Sequence, residues 1–295
     1  MKKTMFIAFS AIGIVVASLL VVACSSDSNS PDVQANKVVQ RVAEDTSNED
    51  AWTDFYAEVE ALNARYAVQS RMISLPQWGA DLDMTKFKQL IVVEDAKGSQ
   101  IGWDYAYNNS ATTNNSLATA TIVGALRSYE MYRYEPDTTT IDTTGTTITI
   151  INPNRIDDLS LITTPFVLIG QRHNQLLASL INSNYNSTGK SERQMFQDFV
   201  QRYEQLFTPM TNAYKQILLT QNVYTTRTPN LTDNVATANE NFKTQTAQMS
   251  IATLHDYTDE YLNIVNATSL NAYDKMQMSL YASVSYYSGA LWVVQ

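Results

Sequence analysis

Apolar side chains recur along this chain at intervals of three and four, the period of a helix with one buried face. Trp52, Phe55, Tyr56, Val59, Leu62 and Tyr66 keep that spacing. Just ahead of them, Thr46 and Glu49 stand three apart, as in a capping box. The spacing predicts a helix over 48–73, ended before Pro76, and then a loop over 76–84. A second helix is predicted over 85–108, where Leu90, Ile91, Ala96, Ile101 and Tyr105 favour one side. Within it Gly98, Gly102 and Ala106 lie four apart. A glycine inside a helix costs about 1 kcal/mol relative to alanine, so two on one face imply a second helix against their backbone. After a polar turn at 108–116, a third helix over 116–134 carries its own stripe at Ala120, Gly124 and Ser128. Stripe against stripe predicts a tight αα-hairpin. The same spacing pairs helices in membranes, but Asp95, Asp104, Arg127 and Glu130 interrupt any span here.

Residues 135–154 break the pattern. Threonine dominates, and Thr146-Thr147-Ile148-Thr149-Ile150-Ile151 is a strand-like run. This insertion reads as a Thr-rich loop or as a short β-hairpin turning at Asp142-Thr143-Thr144-Gly145. Helical spacing resumes over 155–183, with a kink expected near Pro165, and over 190–223, bent or split at Pro209. A loop at 225–233 precedes helices over 231–249, 251–266 and 269–293. In the last, Leu270, Tyr273, Met276, Leu280, Val284, Tyr287, Leu291 and Trp292 form a core-facing stripe. Only 9 glycines and 7 prolines occur in 295 residues, too few for the many turns of a β-sandwich or barrel. The fold class expected is all-α: a single helical-bundle domain over 48–295 with a small-residue hairpin and the insertion at 135–154.

The N-terminus has a different pattern. Lys2 and Lys3 precede an uncharged apolar run from Met5 to Ala23, which closes on Cys24, the one cysteine of the chain. Ala23 suits an ordinary signal-peptide cut, and 19 apolar residues can just span a bilayer. The position of the lone cysteine decides between these, because it resembles a bacterial lipoprotein signal. That resemblance implies a signal peptide over 1–23, removed before Cys24, and a lipidated Cys24 thiol anchoring the product to a membrane. Ser25 in the next position resembles the sorting signal for the outer membrane. Two or more acyl chains hold a protein stably, whereas one does so only marginally. Residues 24–47 begin with a small, polar run, Ser25 to Asp32, and read as a flexible tether. The 23 residues after Cys24 span about 26 Å root-mean-square as a random coil. With Cys24 acylated, no disulfide can form, so stability has to come from the core.

Removing 1–23 takes away Lys2 and Lys3 of the 20 basic residues, leaving 18 against 29 acidic ones and a formal charge of −11. Such a balance argues against nucleic acid, which needs a basic stripe, and against docking on anionic lipid. An apolar content of 44% supplies a sizeable core.

Motifs that carry chemistry are scarce. There is no H-E-x-x-H, G-x-S-x-G, P-loop or G-x-G-x-x-G, so neither a metal nor a cofactor is expected. His255 and Asp259 lie one helical turn apart, a spacing more often solvated than metal-bound. Ser187-Thr188-Gly189-Lys190 has S-x-x-K spacing but no later K-T-G, and reads as a turn capping the next helix. The tyrosines at 129, 132, 134, 286 and 287 sit at helical positions and read as core edge rather than as sugar-stacking platforms. Asp95 stands in an apolar helix one turn before Gly98, and reads as a buried acid with a hydrogen-bond partner. His173 and Asn174 lie between Val167-Leu168-Ile169 and Leu176-Leu177, so their helix is expected to be buried on one side. These three form a candidate polar cluster, structural or ligand-binding, with Asp95 a candidate partner of the His173-Asn174 pair.

Three stretches carry a resemblance to a known group. Val93-Glu94-Asp95-Ala96-Lys97-Gly98-Ser99-Gln100-Ile101-Gly102, Val167-Leu168-Ile169-Gly170-Gln171-Arg172-His173-Asn174-Gln175-Leu176-Leu177 and Ser283-Val284-Ser285-Tyr286-Tyr287-Ser288-Gly289-Ala290-Leu291-Trp292 resemble segments of uncharacterised Bacteroidota exported lipoproteins: an Asp-x-x-Gly helix, a Gly-x-x-His-Asn segment and a closing Ser-x-x-x-Trp helix. The chain departs from the group at Trp103, Tyr105 and Tyr107, which replace smaller residues. The resemblance implies locale and segment order but no activity. Asp137-Thr138-Thr139 and Asp142-Thr143-Thr144 resemble Bacteroidota O-glycosylation acceptors, which marks Thr138 and Thr143. The function expected is a non-enzymatic binding or structural module on the outer membrane, with an envelope protein or glycan as partner. The alternatives are a carboxylate-dependent hydrolase of envelope or glycan substrates and a subunit of a larger envelope assembly.

Overall fold

The computed structural model describes residues 49–72, 81–109, 111–133, 148–161, 164–247 and 249–294. Among them 78% are helical, against the ordinary ~30–35%, so the fold is all-α. The helices are α1 (Glu49–Met72), α2 (Asp81–Asn108), α3 (Thr113–Arg133), α4 (Pro165–Asn182), α5 (Glu192–Leu206), α6 (Asn212–Thr220), α7 (Asp233–Thr246), α8 (Ile251–Ala267) and α9 (Ala272–Leu291). Two short 3-10 turns (Pro153–Arg155 and Val223–Thr225) and two short strands, β1 (Ile148–Ile150) and β2 (Trp292–Val294), complete the regular structure of the described residues. No described helix is long and apolar enough to cross a membrane. Cys24, Thr138 and Thr143 lie outside the described residues, as do the tether and most of the Thr-rich insertion.

The chain writes most helix starts locally. Thr164, Ser191, Thr211, Thr232, Ser250 and Asn271 each accept a hydrogen bond from the backbone two or three residues into the helix they cap. Pro165 takes the first position of α4, where its missing N–H is no loss. The expected kink is therefore a helix start, and residues 156–161 before it are irregular. Pro209 falls in the break between α5 and α6. Helix α2 begins four residues earlier than its spacing indicates, since no glycine or proline stands between Asp81 and Thr85.

The two small-residue stripes meet. A methyl on Gly98 would lie 2.9 Å from the Val123 carbonyl and 3.0 Å from Gly124 Cα; one on Gly102 would lie 2.5 Å from the Thr119 carbonyl and 2.8 Å from Ala120 Cα. Around this hairpin, α2 packs on α3, α3 on α4, α4 on α9, and α9 back on α2, which closes a four-helix ring. Helices α7 and α8 cover α9, α1 lies on α8, and α5 covers α3 and α4. Helix α9 is more than one stripe: apart from Lys275, every residue from Tyr273 to Leu291 is buried. Its second face, with Ser279, Ala282 and Gly289, is buried as well, and Gly289 lies toward Leu254 of α8.

Strand β1 lies in the predicted strand-like run, but its described partner is at the far end of the chain. It pairs antiparallel with β2, Ile148 opposite Val294 and Ile150 opposite Trp292. Ile151 N–H extends the pairing to the Leu291 carbonyl at 3.1 Å. The C-terminus thus leaves α9 as a strand, where helical spacing carries the helix on to 293.

Candidate functional site

Seventeen of the twenty buried polar residues among those described sit on the four ring helices. The centre of the ring joins α2, α4 and α9. Asp95, His173 and Ser288 are each 0% exposed, and Asn174 is 1% exposed. Ser288 Oγ donates to Asp95 Oδ2. His173 Nε2 stands 3.4 Å from the same oxygen. On the other side of the ring, His173 Nδ1 is 3.0 Å from Asn174 Oδ1, and Asn174 Nδ2 donates to the Tyr287 carbonyl at 2.6 Å. Since the amide nitrogen is committed to Tyr287, its oxygen accepts and His173 Nδ1 carries the proton. Gly124 of α3 closes the fourth side: a methyl there would strike Ser99 Oγ and lie 3.4 Å from His173 Cδ2. Asp95 and His173-Asn174, 78 positions apart in sequence, are therefore one cluster, and Ser288 is its unpredicted fourth member.

The order of contacts limits its chemistry. A serine hydrolase passes the serine proton to histidine, with the acid behind the histidine. Here the acid stands between, and Ser288 gives its hydrogen bond to the carboxylate. All three side chains are sealed from solvent; the Ser288–Asp95 bond joins α9 to α2, and the Asn174–Tyr287 bond joins α4 to α9. Asp95 Oδ1, Ser99 Oγ, His173 Nε2 and Ser283 Oγ have no hydrogen-bond partner among the described residues.

The other sequence candidates have structural partners. His255 Nδ1 pairs with Asp256 Oδ1 at 3.0 Å and Nε2 with the Asp158 carbonyl at 3.1 Å, while Asp259 accepts from Ser160 N–H at 2.8 Å. Burial lowers the His255 pKa, but the bonds to Asp256 and Asp158 and the charges of Asp259 and Asp256 outweigh it and leave the pKa raised. No group of three or more His, Cys, Asp or Glu among the described residues is placed to hold a metal ion. In the S-x-x-K stretch, Ser187 bonds Tyr129 OH at 3.0 Å while Lys190 pairs with Asp198 at 2.5 Å. Gly189 adopts φ +74°, and Ser191 opens α5 with a full capping box, so this stretch is a turn. Tyr129, Tyr286 and Tyr287 are buried core tyrosines.

A carboxyl pair forms elsewhere, on the outer end of α3. Glu130 and Glu192 lie within hydrogen-bonding reach of each other. That is closer than the ~5–9.5 Å between the two acids of a glycosidase. Arg227 reaches Glu130 at 3.2 Å and Glu192 at 2.6 Å, and Arg127 lies 3.8 Å from Glu130. Burial, then the charge and hydrogen bond of Glu192 and the charge of Glu94, raise the Glu130 pKa to about 8. The folded protein thus holds a proton that the unfolded chain has lost above about pH 4.5. Stability from this group falls as pH rises from there to about 8. Glu130→Gln keeps the hydrogen bond and cannot ionise. Wild type should lose a few degrees of melting temperature between pH 5 and 8 relative to it, since ~1 kcal/mol is worth roughly 2–4 °C in a domain of this size. Parallel melting curves across that range would refute the assignment.

One depression opens beside the buried cluster, between residues 153–158 and the outer face of α4, with a volume of about 210 Å³. Asn174 and Tyr287 form part of its wall. Burial pushes the Tyr287 phenol up, so it stays protonated and donates to Asp158 Oδ1 at 3.2 Å.

No protein-family model matches the chain, no curated protein matches it, and no solved structure matches it.

Proposed function

We propose that the protein is an outer-membrane lipoprotein, anchored through a lipidated Cys24, whose helical domain is a non-enzymatic binding or structural module of the cell envelope. The observation that carries this reading is the uncharged apolar run that ends on the one cysteine of the chain. The resemblance of three segments to exported Bacteroidota lipoproteins supports the same locale. Two features of the domain favour binding over catalysis. Its one central acid, Asp95, is sealed together with His173 and Ser288. Its clearest carboxyl pair, Glu130 and Glu192, is too close for the hydrolase mechanism considered above. The acidic balance makes an envelope protein or an uncharged glycan a better partner than nucleic acid.

The test is metabolic labelling. The chain expressed in a Gram-negative host with labelled palmitate should incorporate label and fractionate with the outer membrane. Cys24→Ala should take up none and leave that fraction. Equal label in the two proteins would overturn the proposal.

A further inference from the structure

We infer that the depression beside α4 is a binding site for one neutral saccharide unit. This deepens the reading above, on which it rests, by naming the glycan-binding surface of the module. Four carboxamide residues, Asn154, Gln171, Asn174 and Gln175, line it. A carboxamide sets a donor and an acceptor side by side. Vicinal hydroxyls, each both donor and acceptor, are the complement of that pattern. Asp158 adds a carboxylate able to accept from two hydroxyls.

The polar wall is fixed in advance. Asp158 Oδ1 accepts from Gln171 Nε2 and from Tyr287 OH, and the Asp158 carbonyl takes His255 Nε2 at 3.1 Å. Tyr287 OH in turn accepts from Leu159 N–H at 3.3 Å. Asn174 is held by His173 and by the Tyr287 carbonyl, which leaves one amide hydrogen uncommitted. The buried tie therefore anchors the wall of the site, and little ordering remains to oppose binding.

Charge and size narrow the ligand. No lining residue is cationic, so an anionic group would find no counter-charge and would meet Asp158 in a chain of net charge −9. A cation would find a single carboxylate, one of whose oxygens already accepts two hydrogen bonds. The volume, about 210 Å³, is below the ~300–1,000 Å³ of drug-sized sites, which suits one ring of a longer chain running out into solvent.

Saturation-transfer NMR on the full chain in detergent micelles tests this. The probes are the methyl glycosides of neutral hexoses and N-acetylhexosamines, with methyl sialoside as the anionic arm and methyl glucosaminide as the cationic arm. Transfer to a neutral glycoside is expected, weakened about tenfold by Gln175→Ala, whose side chain is on the exposed rim, and by Asp158→Asn. Gln175→Ala should melt as wild type does. The inference is overturned by a natively melting protein that gives no transfer to any neutral glycoside, by transfer that survives both substitutions, or by transfer to the charged arms alone. Its failure is separable from that of the anchoring proposal, because palmitate labelling of Cys24 does not depend on the pocket. Release of methanol from a bound glycoside would keep the site and overturn the non-enzymatic reading.

Discussion

Gly102→Ala should lower the melting temperature by roughly 6–12 °C, although alanine is the better helix former. A methyl at this position lies 2.5 Å from the Thr119 carbonyl oxygen and 2.8 Å from both Ala120 Cα and the Thr119 carbonyl carbon. All three are backbone atoms of α3, so no rotamer change relieves the clash, and α2 and α3 must separate. Overpacking typically costs ~1–3 kcal/mol and occasionally more, and contact with backbone belongs at the upper end. The gain of about 1 kcal/mol in helix propensity does not offset it. At roughly 2–4 °C per kcal/mol, a loss of ~3 kcal/mol gives the stated shift. Gly289→Ala is the control. Its methyl would meet only Leu254 Cδ2 at 3.3 Å, the far end of a flexible side chain. It should melt at or slightly above wild type. Equal melting of Gly102→Ala and wild type would mean that the stripes are not in contact.

The second large effect is expected at Asp95. Asp95→Ala removes the acceptor of Ser288 and the acid beside His173, and leaves both polar groups buried. Breaking a buried pair from one side costs ~3–5 kcal/mol. That corresponds to a fall of roughly 6–20 °C, read in a thermal melt followed by circular dichroism. Asp95→Asn, which keeps the shape and an acceptor for Ser288, should lose less. A melt of Asp95→Ala within a degree or two of wild type would remove Asp95 from the tie.

The helices and the hairpin contact were legible because they rest on local periodicity and on two stripes with the same four-residue step. What periodicity could not supply was the pairing of distant elements. The apolar residues Ile156, Leu159 and Leu161 extend the helical spacing back across Pro165, yet they pack from an irregular segment, and Thr164-Pro165 opens the helix. A strand-like run at 148–150 shows its type but not its partner, which stands more than 140 positions away. The spacing in α9 reveals the face with large residues. The opposite face, with Ser279, Ala282 and Gly289, is buried too, under α7 and α8, which the spacing of large residues does not show.

At the site, the burial of Asp95, His173 and Asn174 could be read from their apolar neighbours. Their contact could not, because no spacing rule relates α2 to α4. Ser288 was missed, and the available signal was the run of serines at 279, 283, 285 and 288 inside an otherwise apolar helix. Nothing in the sequence marked the depression, since Asn154 and Asp158 come from irregular chain and meet α4 only in the fold.

That the buried chain from Ser288 through Asp95 and His173 to Asn174 is a structural tie is the claim on which the stability of the ring and the non-enzymatic reading both depend. A double-mutant cycle tests it most directly, with urea unfolding of wild type, Asp95→Asn, His173→Ala and the double variant. The account predicts that each single variant is destabilised and that the two couple by roughly 1–3 kcal/mol, as expected of groups in one network. Binding and catalytic sites often carry strain that substitution relieves. Additive effects, together with a His173→Ala protein as stable as wild type or more so, would contradict the tie and make the ring interior a reacting or ligand-binding site.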